Sequence, residues 1–166
     1  MPYAIELFLD DTSTRRVCEI WAHLNGAGVR ALGNGFGDHP HVTLSVCDDV
    51  DASRVAEALE PFLERAVGLP LPLAPLGFFL TPEAPAFLGV IPSHDLLNLH
   101  RDVDAAIEPA VKRRWDYYRP DALLPHCTLA MGVTDKATVI DVVSKFSLPI
   151  PAVATGLHVI EIPKPC

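Results

Sequence analysis

The stretch Pro40-His41-Val42-Thr43-Leu44 returns in the second half of the chain as Pro125-His126-Cys127-Thr128-Leu129. In a strand, side chains alternate between faces, so His41 and Thr43 project together, about 7 Å apart, while Val42 and Leu44 project from the opposite face. His126 and Thr128 repeat the arrangement. The repeat preserves two polar residues, His and Thr, whereas repetition imposed by core packing alone would be apolar.

The segments flanking each copy also correspond. Tyr3 to Leu9 and Phe87 to Ile91 are short apolar runs that read as buried strands. Thr12 or Asp11 can cap a helix carrying Val17, Ile20, Trp21 and Leu24, and Ser93 caps one carrying Leu96, Leu97, His100, Val103 and Ile107. Strands follow at His41 to Val46 and at His126 to Met131. Asp51 or Ser53 then opens a helix with Val55, Leu59 and Leu63, interrupted at Pro61, and Thr134 or Asp135 opens one with Ile140, Val143 and Phe146 inward. Pro70, Pro72 and Pro75 confine the fifth element of the first half to Leu76 to Leu80, because proline cannot donate to a sheet ladder. Its counterpart is Gly156 to Ile162. The pattern is a duplicated strand-helix-strand-helix-strand unit of α/β (α+β) class. No linker separates the halves, about 1–82 and 83–166, so a single domain over 1–166 is expected.

Two such strands related by a pseudo-two-fold axis bring two imidazoles and two hydroxyls to one cleft. Histidine's unperturbed pKa lies near neutrality, so one ring can be neutral and act as base while the other is protonated and acts as acid. In-line displacement at phosphorus needs both, together with donors for the non-bridging oxygens, a role that suits Thr43 and Thr128. No metal or other cofactor is required, and the chain holds no H-E-x-x-H or Gly-Lys-Ser/Thr pattern.

Paired His-x-Thr motifs in a duplicated chain of this size resemble the 2H phosphoesterase superfamily, specifically its bacterial 2′-5′ RNA ligase-like and 2′,3′-cyclic phosphodiesterase members. Tyr118-Arg119-Pro120 before the second motif and the Gly77-Phe78-Phe79 segment share in the likeness, which spans essentially the whole chain. The resemblance implies a bilobal fold with a central cleft between two antiparallel-rich sheets. It also implies metal-independent opening of 2′,3′-cyclic phosphates or 2′-5′ linkages, with the catalytic pairs at His41 with Thr43 and His126 with Thr128. For a cyclic phosphate opened to a 2′-phosphate, His126 is assigned as base on water and His41 as acid on the departing 3′ oxygen, although pseudo-symmetry fits the reverse equally well.

Substrate contacts are expected from Tyr118, by stacking on a base, from Arg119, by pairing with a phosphate, and from Phe36 in the glycine-rich loop before the first motif. Ordinary packing and a surface ion pair are the alternatives for Tyr118 and Arg119, while Trp115 and Tyr117 read as core. His100 shares its helix face with leucines and reads as a packed histidine with one satisfied nitrogen.

Charge and composition limit the partners. Thirteen Lys plus Arg against 21 Asp plus Glu leave a net charge of −8, poorly suited to holding a long RNA by its backbone. Small cyclic nucleotides, short oligonucleotides or RNA 3′ ends fit better. Lys112, Arg113, Arg114 and Arg119 cluster, either as a local phosphate-facing patch or as a solvated helix end. Nothing in the composition suggests a membrane partner; a cytoplasmic monomer is expected, with Cys18, Cys47, Cys127 and Cys166 reduced and mostly buried. Three rivals remain: a metal site built on His39, His41 and His126, Cys127 as a nucleophile, and a phosphate-binding module without turnover. RNA ligation is the reverse of the same chemistry.

Overall fold

The computed structural model describes residues 2–33 and 39–162; Phe36 and Cys166 lie outside this set. The strands are β1 (Tyr3–Leu9), β2 (His41–Cys47), β3 (Pro70–Phe78), β4 (Ala86–Val90), β5 (His126–Ala130) and β6 (Ile150–Glu161). The α-helices are α1 (Asp11–Gly26), α2 (Ala52–Leu59), α3 (Leu63–Ala66), α4 (His94–Ile107) and α5 (Lys136–Ser144). All strand pairings are antiparallel, in the order β2-β1-β6-β3-β4-β5. The two expected antiparallel sheets are thus β2-β1-β6 and β3-β4-β5, joined into one six-stranded sheet along the β3–β6 ladder.

That ladder carries the pseudo-symmetry. The last strand of each half leaves its own half and pairs with the first strand of the other, β3 with β4 and β6 with β1. The sheet curls so that its outer strands, β2 and β5, meet. Their edges are covered reciprocally: Leu32 N–H donates to Leu129 O, and Trp115 N–H donates to Val46 O (3.0 and 2.9 Å).

β3 and β6 are longer than the prolines suggest. Ala154 N–H donates to Leu69 O (2.9 Å), which sets the ladder toward β6 at 69, 71 and 73. Pro70 and Pro72 fall between those positions, where no donor is needed, and Pro72 offers its carbonyl to Ile91 N–H on the other side (2.9 Å). Pro151 lies directly opposite Pro72 in the same ladder.

Apolar residues on one face of the curled sheet form the core. Ile5, Leu7, Leu9, Val42, Leu44, Leu71, Leu73, Leu88, Cys127 and Leu129 lie beneath Val17, Ile20 and Leu24 of α1, Val55 and Leu59 of α2, and Leu96, Leu99, Val103 and Ile107 of α4. The caps are Asp10 for α1, one or two residues before the expected position, Asp51 for α2, Ser93 for α4 and Asp135 for α5; each side chain accepts a backbone N–H of the first turn. α2 ends at Leu59, with Pro61 in the short 3₁₀ turn that follows. Leu97 and Ile140 are exposed, while Leu99, Val139 and Val142 point inward in their places. Trp115 and Tyr117 are also exposed, not core, and Cys18 is exposed while Cys47 and Cys127 are buried. Among the described residues no helix is long and apolar enough to cross a membrane.

Candidate active site

β2 and β5 present their motifs toward each other at the seam where the sheet closes. A β-bulge sits at the same place in both strands. The β1–β2 register slips between Thr43 and Ser45, leaving Leu44 extra, and the β4–β5 register slips between Thr128 and Ala130, leaving Leu129 extra. Each bulge is thus the residue after a motif threonine, where it increases the local twist and re-aims the side chains before it. Val42, Leu44, Cys127 and Leu129 fill the core, and His41, Thr43, His126 and Thr128 are each half-buried on the opposite face.

Both imidazoles are oriented by the same bond. His41 Nδ1–H donates to His39 O (2.6 Å) and His126 Nδ1–H donates to Leu124 O (2.7 Å), in each case the carbonyl two residues earlier. Because a carbonyl can only accept, Nδ1 carries the hydrogen and Nε2 is the nitrogen left open in both rings. The rings sense one another: burial lowers the His126 pKa from its ordinary 6.5, the Leu124 carbonyl opposes that, and the charge of His41 lowers it further. The Cys127 thiol takes a bond from the His41 backbone N–H beneath this seam, which binds β5 to β2.

The two Nε2 atoms face different surroundings. His41 Nε2 lies 3.3 Å from Glu6 Oε1 of β1, and Glu6 is only 7% exposed. Burial raises the Glu6 pKa and His41 opposes the rise. His126 instead lies against two aromatic rings, Phe79 edge-on and Phe87 tilted, each with its centroid 5.1 Å away. Phe79 and Phe87 stack on each other at 4.4 Å. The Phe87 ring reaches across to β3, where a Cβ on Gly77 would come within 2.5 Å of it. The corresponding rings beside His41 are Phe8, which stacks on His158 at 4.0 Å and touches His39 at 4.3 Å.

Tyr118 belongs to this neighbourhood. Its phenol is raised by burial and further by the charge of Glu6, which places it on the His41 side. The buried His100 holds it there: Nε2 bonds both Leu44 O of β2 (2.9 Å) and Tyr118 O (2.8 Å). Arg119 pairs with Asp116 at the surface (3.5 Å). The basic cluster around it is divided among acidic partners. Arg114 is buried and bound to Asp104 and Glu108, and Arg113 reaches Asp48. Cys127 is fully buried with its thiol pushed up to about 12, so it is an inert core residue and not a nucleophile. Among the described residues no group of three or more His, Cys, Asp or Glu is placed to hold a metal ion.

Glu6, Phe79 and Phe87 are the neighbours that motif reading passes over. One signal for Glu6 was present: it is the lone carboxylate inside the apolar run Tyr3 to Leu9, an expensive residue for a strand buried on both faces.

The fold and the twinned H-x-T strands define a two-histidine phosphoesterase architecture. The family model of the 2′-5′ RNA ligase superfamily matches residues 17–164, and the chain belongs to this superfamily of 2H phosphoesterases. Among solved structures, the PDE domain of MHV ns2 shares 15% identity at a TM-score of 0.59, with 98% of this chain and 100% of that chain covered. That likeness is one of fold. Usb1 of Kluyveromyces marxianus, solved with uridine monophosphate, gives 13% identity and a TM-score of 0.47 over 93% of this chain and 97% of its own. No curated protein matches by sequence.

Proposed function

We propose that the protein is a metal-independent phosphoesterase that opens 2′,3′-cyclic phosphates, or cleaves 2′-5′ phosphodiesters, of small nucleotides or RNA 3′ ends by two-histidine acid–base catalysis. The observation that carries this reading is the identical Nδ1-to-carbonyl bond in both halves, which leaves two Nε2 atoms to share one phosphate. His126 acts as the base, since burial and the neighbouring charge favour its neutral form. It takes a proton from water as the new O–P bond forms. His41 gives its Nε2 proton to the 3′ oxygen as the P–O3′ bond breaks, and a 2′-phosphate results. Thr43 and Thr128 donate to the non-bridging oxygens. Tyr118 stacks on the base, and Arg119 serves a phosphate if substrate draws it from Asp116. A net charge of −8 favours short substrates over structured RNA.

Product analysis with the four 2′,3′-cyclic nucleotides tests the proposal. Turnover in chelator to a 2′-phosphate is expected, with losses of at least about 10²-fold in His41→Ala and in His126→Ala, the usual scale for a general acid or base. Binding without product, or near-parental turnover in either variant, overturns it.

A further inference from the structure

We propose that Glu6 is a positioning residue that keeps on His41 Nε2 the proton delivered to the leaving oxygen; the inference rests on the acid–base reading above and adds a third residue to it. The observation is geometric. Glu6 Oε1 lies 3.3 Å from the one nitrogen of His41 that the His39 carbonyl leaves open. With Nδ1–H already committed, Glu6 sets a carboxylate charge 3.3 Å from Nε2, where it favours a proton on that nitrogen without a hydrogen bond to it. A committed charge-assisted N–H···O bond is about 2.7–2.9 Å long, and at 3.3 Å the carboxylate acts by its charge and leaves the hydrogen to an oxygen arriving from the cleft.

The duplication sharpens the inference. In β1–β2 the residue paired with the motif threonine is Glu6, opposite Thr43, and in β4–β5 it is Phe87, opposite Thr128. One site of the repeat holds a carboxylate for its histidine and the other a ring. A carboxylate required only for folding would have no reason to stand beside the ring that must enter the reaction charged, while the ring that must enter neutral is walled by Phe79 and Phe87.

The titratable groups facing this pair are few. Within the sheet, His158 of β6 pairs with Glu6 across the ladder, but its ring is stacked on Phe8. Tyr118 approaches Glu6 from the 3₁₀ segment before the second motif, and His39 and His126 approach His41. Among the described residues the ion partner of Glu6 is His41. When the proton leaves with O3′, the pair keeps the carboxylate and a neutral imidazole, and solvent restores the proton before the next turnover.

Two measurements test this. The pH dependence of kcat/KM is compared between the parent and the isosteric Glu6→Gln variant. Loss of the carboxylate removes the charge that holds the proton on Nε2, so the loss of kcat/KM falls on the alkaline limb while the acid limb stays in place. Activity then falls about tenfold at alkaline pH and little at mildly acidic pH. An unmoved alkaline limb, or an equal loss at every pH, overturns the proposal. The second measurement is independent of turnover: carboxyl NMR of carbon-13-labelled glutamate follows Glu6 in the parent and in His41→Ala. The Glu6 midpoint moves up when the opposing charge of His41 is removed, and an unchanged midpoint overturns the coupling whatever the activity. If that midpoint moves but no cyclic nucleotide is turned over, the phosphoesterase reading fails and the Glu6–His41 contact survives it.

Discussion

Glu6 and Phe87 occupy the same place in the two halves of the sheet, each paired across its ladder with the threonine of an H-x-T strand, Thr43 and Thr128 respectively. A duplicated backbone therefore presents two histidines with the same Nδ1 tether and opposite surroundings. Symmetry makes the site; the single exchange of a carboxylate for a ring makes its two sides chemically distinct.

The buried carboxylate has a cost in stability that can be measured. Burial raises the Glu6 pKa in the folded protein, so the native state binds the proton more tightly than the unfolded chain. The stability from this group is fully present below the unfolded value of about 4.5 and is lost as pH rises through the folded value. Near neutral pH, Glu6→Gln is accordingly more stable than the parent by about 1 kcal/mol, the usual exchange of activity for stability at such sites. Urea unfolding at pH 7.5 and at pH 4 reads this difference, which shrinks at the lower pH. A variant less stable than the parent at pH 7.5 would show Glu6 to be a net structural asset.

On the other side of the site, the aromatic wall keeps His126 neutral. Its pKa is lowered first by burial, so its proton leaves below the ordinary 6.5 and the base is ready across the neutral range. Phe79→Ala opens the wall on the face where the ring meets His126 edge-on. With burial reduced, the His126 pKa rises, and the acid limb of kcat/KM moves up by a few tenths of a pH unit or more. The alkaline limb does not move. A pH–rate profile superimposable on the parent's would remove Phe79 from any part in setting the base.

Much of this was written in the chain, and the parts that were not have physical reasons. The H-x-T pair, the strand-helix alternation, the Asp51, Ser93 and Asp135 caps and the packed His100 follow from local rules of alternation and capping. Only the first parts of β3 and β6 were hidden, because a proline in a strand is costly only where its missing N–H faces a partner, and that depends on register. Leu97 and Ile140 gave way to Leu99, Val139 and Val142 because helix orientation is decided by the sheet beneath, not by the helix alone. The wall beside His126 comes from β4 and from the turn after β3, and Tyr118 is held by a contact from α4; sequence spacing carries none of this.

Thiol chemistry should leave the enzyme untouched. Cys127 sits one residue after the histidine of the second motif, yet burial pushes its thiol up to about 12 and its sulfur faces the core under His41. Cys47 is also buried, and burial raises its pKa as well. Excess iodoacetamide on the native protein at pH 8 should therefore leave Cys127 and Cys47 unmodified by mass spectrometry and turnover of the cyclic nucleotide within twofold of the untreated rate. Inactivation that tracks with alkylation of Cys127 would restore the nucleophile reading.

His100 offers the sharpest separation of packing from positioning. It is buried, and its Nε2 bonds two carbonyls, Leu44 O one residue past the first motif and Tyr118 O in the segment leading to the second. His100→Leu keeps apolar bulk in α4 but leaves both carbonyls without that donor, at a cost of about 1–3 kcal/mol for buried groups left unsatisfied. The loss is local as well as global. Tyr118 is released from its tether, so on the proposed mechanism KM for the cyclic nucleotide rises while kcat changes less. His100→Gln can place an amide N–H near the same carbonyls and should recover part of both effects. Steady-state kinetics alongside thermal unfolding of the two variants checks this: a fall in kcat with KM unchanged would mean that His100 supports the motif strand through Leu44 and that Tyr118 has no part in holding substrate.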